Sequence, residues 1–589
     1  MARSSQPETR SSTSRTSRVG TSTTLTLALA LALVAAACGT NKSDTTDTTT
    51  PPTVAEVSCD SAAADGLPIT YRQAADEGCE AEFDWGTTCD TETGRLELPT
   101  ASPLECVPVF AGDNGGTTAP GITADTIKIA RYVAKSDPAV DAYLSSIGAR
   151  DEPETVQETY ENFLDMYNAM AETYGRTIEV VELEGTGTST DAVAARADAL
   201  KAKELGVFAV IGGPAQTRAF SEELARQKIV NVGGGTSTGE FQKENSPYVW
   251  GIGPSPEQTA ARTTEFIEKQ LVGKPAEFAG DEFKDQERSF VLLTYDDGEN
   301  NFKQPWDDWL ADLLAKGIPV ADERIVFTLD LARAAEDTQV VVQKLREVNA
   351  TTVVFTGDPL MPGYFSKEMT AQGYFPEWVL SGTVYADTTV LARGYDQEQW
   401  KHTFGISLIP ARIPNEQSDS TVLYKWWTGA DDIPAKNTGG IIAANMALLV
   451  SGIHFAGPDL TAESFRSGIF ARPIPERDAA DIRTTVTYGR SDFWAEGTDF
   501  AGLDDVSIIW WDPTATGEDE TGDDGTGQYR YINGGERFLP GEIPTEPLAL
   551  FDPDGSVTYY TDEADAPDGT QPVPDYVKTN PDKYEKPSA

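Results

Sequence analysis

Gly235-Thr236-Ser237-Thr238-Gly239 sets a serine midway between two glycines. That is the G-x-S-x-G spacing of a nucleophile elbow, which needs a strand, a sharp turn and then a helix. Here Glu240 to Asn245 is polar and Pro247 follows, with no helical face. The expectation is therefore a binding or turn role for Ser237. The alternative, an exported serine hydrolase using Ser237, has few histidines to draw on. The chain holds two, His402 and His454, and His454 lies in an apolar stretch where a histidine is expected to be structural. The same scarcity argues against a histidine-built metal site, and no metal, cofactor or catalytic residue is expected.

The elements around this stretch explain why hydroxyls sit there. Val207 to Ile211 is apolar and β-branched, as a buried parallel strand is. Gly212-Gly213-Pro214 breaks it, and a helix is expected over Gln216 to Arg226, with Phe220 and Leu224 four apart. Ile229 to Val232 is a second strand, closed by Gly233-Gly234-Gly235. Ligands of open parallel sheets bind beyond the carboxyl ends of the strands. Gln216, Thr217, Thr236 and Ser237 lie there, beside a helix N-terminus whose free N–H groups suit a carboxylate.

Composition narrows the partners. The 589 residues carry a formal charge of −48, a surface that repels phosphate backbones, so no nucleic acid is expected. Four arginines precede the apolar run Leu25 to Ala37, which is too short to span a bilayer. The run ends in small residues before Cys38, as a bacterial lipoprotein signal does, so Cys38 is expected to carry the lipid that tethers the chain to the membrane. The four remaining cysteines, Cys59, Cys79, Cys89 and Cys106, are clustered. An even count in an exported chain implies two disulfides. Of three pairings, Cys59–Cys79 and Cys89–Cys106 close the shortest loops and are preferred. A four-thiolate zinc site would lack any C-x-x-C pair.

Further along, strands alternate with helices in two series, which argues for two lobes built on parallel sheets. The first holds strands at Ile127 to Val133 and Ile178 to Val181. Thr155 and Glu158 have capping-box spacing before a helix carrying Phe163, Tyr167 and Met170 on one face. The second series begins at Phe290 and includes strands ending in Tyr295-Asp296-Asp297-Gly298 and Gly357-Asp358-Pro359. Ile441 to Phe455, apolar nearly all round, should be a buried helix. Asp505 to Trp511 is a late strand. Glu518 to Gly527 is acidic and Gly-rich; its ligand spacing is poor for calcium, and a solvated loop is expected.

The block Gly121-Ile122-Thr123-Ala124-Asp125-Thr126-Ile127-Lys128-Ile129 resembles the start of the type I periplasmic binding proteins of the leucine/isoleucine/valine-binding family. The resemblance continues through Val210 to Gly213, Asn231 to Ser237, Leu292 to Gly298 and Val353 to Asp358. It implies an α/β fold of two doubly wound parallel-sheet lobes joined by a three-strand hinge, with crossings near Trp250 to Pro254, Ser407 to Pro414 and just before Asp505. On that reading residues 1–37 are a signal peptide, 38–57 a flexible tether and 58–110 a small disulfide-stapled segment. Lobe one is 121–253 plus 410–500, lobe two is 254–409 plus 501–535, and 540–589 is an acidic, mostly disordered tail. The resemblance further implies a monomeric receptor that captures a small polar solute, amino-acid or amide-like, and delivers it to the permease of an ABC transporter. Gln216, Thr217, Thr236 and Ser237 of lobe one would face Tyr295, Asp297, Asn301 and Asp358 of lobe two. The family's lobe-two tyrosine falls near Asn301 or Phe302, neither of which is a tyrosine.

Overall fold

The computed structural model describes residues 58–589 apart from 66–67, 236, 298–299, 332, 383–384, 473–476, 478–479, 491, 496–498, 564–565, 567–568 and 588–589. The signal segment, Cys38, the tether and Thr236 lie outside the described residues. No helix among them is long and apolar enough to cross a membrane.

Lobe one is built on five strands: β1 (Thr126–Val133), β2 (Thr177–Glu184), β3 (Ala209–Ile211), β4 (Val230–Val232) and β5 (Val249–Trp250). They are all parallel, in the order β2-β1-β3-β4-β5. The run Val207 to Ile211 is fully buried, as a strand covered on both faces must be. Helices α1 (Pro138–Ser146), α2 (Pro153–Met170), α3 (Ala192–Leu205), α4 (Ala219–Arg226) and α5 (Gly239–Glu244) follow successive strands. Two expectations about helix starts are corrected. α2 begins at Pro153, and the Thr155 hydroxyl donates to the Glu152 carbonyl inside the first turn, so no capping box forms at Thr155. Proline has no N–H to lose at that position and its φ is preset. The helix expected after Ser237 to be absent exists as α5, short and capped by the Thr238 hydroxyl on the Phe241 amide.

Lobe two is built around α6 (Pro256–Phe266), α7 (Lys303–Ala315), α8 (Ala334–Val348) and α9 (Met361–Ala371). Its strands are β6 (Phe290–Tyr295), β7 (Ile325–Phe327), β8 (Thr352–Thr356), β9 (Glu377–Ser381), β10 (Thr403–Ser407), β11 (Val506–Glu518), β12 (Asp524–Ile532), β13 (Arg537–Phe538) and β14 (Ser556–Val557). The nine-stranded sheet runs β14-β12-β11-β10-β9-β8-β6-β7, with β13 paired to β11. It is parallel from β7 to β10, and β11, β12 and β14 add an antiparallel end. The late strand therefore runs on to Glu518, and the acidic stretch after it is the tip of a hairpin, exposed at Gly522, Asp523 and Asp524 as a solvated loop is, but flanked by paired strand that the sequence reading did not expect. The Asp519 carboxylate accepts from the Thr521 amide and hydroxyl and is paired with Arg393 at 2.9 Å. Glu520 accepts from the amides of Thr389 and Val390 at 2.9 Å. An arginine and a helix start thus take up the charge of Asp519 and Glu520.

Helices α10 (Asp419–Thr428), α11 (Gly439–His454) and α12 (Ala462–Phe470) return to lobe one, where Met446, Leu449, Phe465 and Ile469 share a core with Ile127, Ile129 and Trp250. The chain passes between the lobes at residues 251–254, 408–414 and 501–505. The first and last of these are bonded to each other, Gly502 donating to Gly251 at 3.1 Å and Leu503 to Ile252 at 2.9 Å.

Disulfides join Cys59 to Cys79 and Cys89 to Cys106. The first staples a small cluster of Ala62, Ile69 and Ala74, while Leu96, Leu98 and Cys106 join the lobe-one core. The expectation of a mostly disordered tail is corrected. Ile543, Val557, Tyr560, Val573 and Val577 are buried against lobe two, Phe551 stacks on Phe278 with centroids 4.3 Å apart, and the Tyr584 carbonyl accepts from Trp426 of lobe one at 3.1 Å. These side chains insert singly from extended chain, so no hydrophobic period announces them.

Candidate functional site

Two turns at the carboxyl edge of the lobe-one sheet are organised by Asn231 on β4. Its Nδ2 donates to the carbonyls of Val210 and Gly212 at 3.1 and 2.9 Å, and its Oδ1 accepts from the Ser221 hydroxyl at 2.6 Å. The turn after β4 must then be glycine. A Cβ on Gly234 would lie 2.3 Å from Asn231 Oδ1, and one on Gly235 2.8 Å from the Pro214 carbonyl. The bare Gly235 backbone packs on the loop carrying Gln216 and Thr217, so Gln216, Thr217 and Ser237 are brought into one neighbourhood. Thr236 lies outside the described residues.

Their hydrogen bonds are partly local. The Thr217 hydroxyl accepts from the Ala219 amide at 3.2 Å, and the Ser237 hydroxyl donates to the Gly235 carbonyl at 3.2 Å. The Gln216 amide donates to the Ser189 carbonyl at 3.1 Å. α4 starts at Ala219, three residues later than its sequence pattern suggested, because the Pro214 break and the Thr217 bond delay it. The free helix N–H groups expected near Gln216 are therefore not there.

In lobe two, the pairing of Thr294 with Thr356 sets the ends of β6 and β8 side by side. Tyr295, Asp296, Asp297 and Asp358 follow from them and form one acidic corner. Burial raises the Tyr295 hydroxyl pKa, and the charges of Asp297, Asp358 and Asp296 add to the effect. Asp358 is 3% exposed. Its Oδ1 caps α9, accepting from the Leu360 and Met361 amides at 2.8 and 2.9 Å. Its Oδ2 is buried without a hydrogen-bond partner. Burial pushes its pKa up to about 6, against the pull of those amides. Asp296, also raised to about 6 by burial and by Asp297, has a second buried, unpartnered oxygen. Asp297 holds Asn301, accepting from its amide at 3.1 Å and its side chain at 2.5 Å.

Between the lobes lies a cavity of about 470 Å³. Arg218 and Thr238 line it from lobe one, and Glu257, Asn301, Gln304 and Asp308 from lobe two. Of the eight expected ligand residues, Asn301 lines this cavity; the lobe-one side is lined by the chain neighbours of Thr217 and Ser237. Arg218, whose guanidinium lies 5.1 Å from the Phe241 ring centroid, and Asp296 were missed by sequence reasoning. Arg218 adjoins Thr217, and Asp296 lies between Tyr295 and Asp297.

Ser237 has no base at His454. The His454 ring is buried with both nitrogens bonded, Nδ1 accepting from the Glu172 amide and Nε2 donating to the Glu105 carbonyl, each at 2.9 Å. Desolvation lowers its pKa to about 4. Among the described residues, the one His, Cys, Asp or Glu cluster close enough to hold a metal is Cys59, Glu77 and Cys79, and its two sulfurs are bonded to each other.

No curated protein matches the sequence. Solved structures similar in fold include a fatty acid ABC transporter substrate-binding protein from Thermomonospora curvata, 15% identical, covering 74% of this chain and 99% of that one at a TM-score of 0.47. Another is a leucine-, isoleucine-, valine-, threonine- and alanine-binding protein from Brucella ovis in a closed conformation, 12% identical over 72% and 99%, at 0.47. A third is a solute-binding protein of an ABC transporter from Rhodopseudomonas palustris BisB5 in complex with 3,4-dihydroxybenzoic acid, 15% identical over 71% and 98%, at 0.45. Residues 145–486 match the family described as periplasmic binding protein, more than half of the sequence, so the chain belongs to the periplasmic binding protein family.

Proposed function

We propose that this protein is a lipid-anchored extracytoplasmic receptor that captures a small polar solute between its lobes and hands it to an ABC importer. The solute is held by Gln216, Thr217, Thr236 and Ser237 on one side and by Tyr295, Asp297, Asn301 and Asp358 on the other. It carries a cationic or hydrogen-bond-donating group, as an amino acid or an amide does. The observation that carries this reading is the Asp358 carboxyl, buried at a strand end with one oxygen capping a helix and the other without a partner. A buried polar atom left unmade costs free energy that a donor on a solute would recover. Membrane attachment through Cys38 follows from the signal-like run before it. A thermal-shift screen against amino acids, amides, urea and small carboxylates tests the reading, because a solute that binds only the native state raises its apparent stability. Amino acids or amides should raise Tm; a shift given by simple carboxylates alone would contradict it.

A further inference from the structure

The connection from β1 to α2 is much longer than a strand-to-helix turn needs, and its middle leaves lobe one. β1 ends at Val133 on the same sheet edge as Ile211 and Val232. The segment is fixed to lobe one at both ends. Lys135 Nζ donates to the Thr186 carbonyl at 3.1 Å, and the Asp151 carboxylate accepts from the Asn437 and Thr438 amides at the start of α11. Between these anchors lies α1, and Tyr143 and Ile147 pack against the hydrophobic core of lobe two.

The place where Tyr143 lands is specific. A Cβ on Gly394 would stand 3.6 Å from its hydroxyl oxygen, ordinary van der Waals contact, so the phenol end lies directly over this glycine. Its hydroxyl pKa is raised by burial and then by Tyr364, which lies in the first turn of α9. The Tyr395 hydroxyl is influenced by both Tyr143 and Asp358 and donates to the Pro359 carbonyl. Tyr143 therefore meets lobe two beside the loop that holds Asp358. At the end of the same segment, a Cβ on Gly148 would lie 3.5 Å from the Asp523 carboxylate at the β11–β12 hairpin tip.

We propose that α1 is a lid over the Asp358 end of the solute cleft, and that Tyr143 is the latch that fastens it to lobe two between Tyr364, Gly394 and Tyr395. The proposal rests on the cleft assigned above. A lid anchored on lobe one and latched on lobe two makes lobe closure and covering of the solute one event, so Tyr143 governs how long a solute is held. The ring makes the latch, and Phe at this position keeps it.

Hydrogen exchange followed by mass spectrometry on the full chain tests this without a solute. Tyr143→Ala should speed exchange about tenfold at residues 141–147 and also at 391–395 on lobe two, the behaviour of a local contact that opens. Tyr143→Phe should stay within about twofold of wild type on the same principle. A spin-label pair at Ser145→Cys and Glu398→Cys should give one narrow distance that Tyr143→Ala broadens. Unchanged exchange at 391–395 together with an unchanged distance in Tyr143→Ala would overturn the lid. Because neither readout needs a solute, a solute screen that fails while the latch signal is present counts against the cleft assignment alone.

Discussion

Tyr295 and Gly357 bring the two lobe-two loops against each other: a Cβ on Gly357 would lie 3.0 Å from the Tyr295 Cβ and 2.5 Å from the Phe327 ring. The acidic corner depends on this close approach. Gly357→Ala should therefore destabilise the protein by about 1–3 kcal/mol, the cost of forcing an extra carbon into a packed region. Urea unfolding with an unchanged midpoint would contradict that packing.

His454 ties the cystine segment to lobe one through the Glu105 carbonyl, and α2 through the Glu172 amide. His454→Ala should cost about 1–3 kcal/mol for each backbone group left unpaired. The pH dependence follows from the sign of its shift. The folded pKa is lowered from 6.5 to about 4, so the unfolded chain binds the proton more readily between those values. The stability from neutral His454 is complete above pH 6.5 and is lost as pH falls toward 4. Melting curves of the variant should be flatter than wild type over that window; parallel curves would refute the account.

Asp499 and Asp504 sit beside the crossing at 501–505 and shift in the opposite sense. Burial, reinforced by Asp504, raises Asp499 from 3.8 to about 8, and burial raises Asp504 to about 6. Here the folded state holds protons longer than the unfolded state, so stability falls as pH rises from about 4 to 8. Asp499→Asn should remove much of the fall between pH 6 and 8, measured by calorimetric Tm. An equal fall in wild type and variant would show that Asp499 is ionised throughout.

Much of this architecture could be read from the chain. Val207 to Ile211, Phe290 to Tyr295 and Thr352 to Thr356 are β-branched or apolar runs closed by Gly or Asp, so strand ends and their loops were legible. The edge strand Ile325–Phe327 was not, being three residues long with Val326 exposed. α1 was missed because Pro138 to Ser146 has little apolar periodicity; its one large ring, Tyr143, is half-buried against the core of the opposite lobe. The tail misled because acidic, proline-rich composition looks solvated, whereas single aromatic and aliphatic insertions order it; at the β11–β12 hairpin the tip is exposed as its composition suggests, and the strands flanking it were what the sequence hid. At the site, loop position could be inferred, but which oxygen lacks a partner depends on burial that only packing determines.

Cys38 is expected to be the lipidated N-terminus of the mature chain. Cys38→Ala should release the protein from membranes or leave its precursor uncut, read by fractionation and intact mass. Unchanged membrane attachment would end that assignment.

The most direct measurement is calorimetry of wild type and Asp358→Asn with whichever amino acid or amide gives the largest thermal shift. Losing a hydrogen bond to a charged group costs about 1.5–3 kcal/mol, so Asp358→Asn should weaken binding roughly ten- to a hundredfold. Wild-type affinity should also decline below about pH 6, where Asp358 takes up its proton, and the variant should not follow that decline. Wild-type affinity in Asp358→Asn, at both neutral and acid pH, would contradict the placement of the solute at this corner.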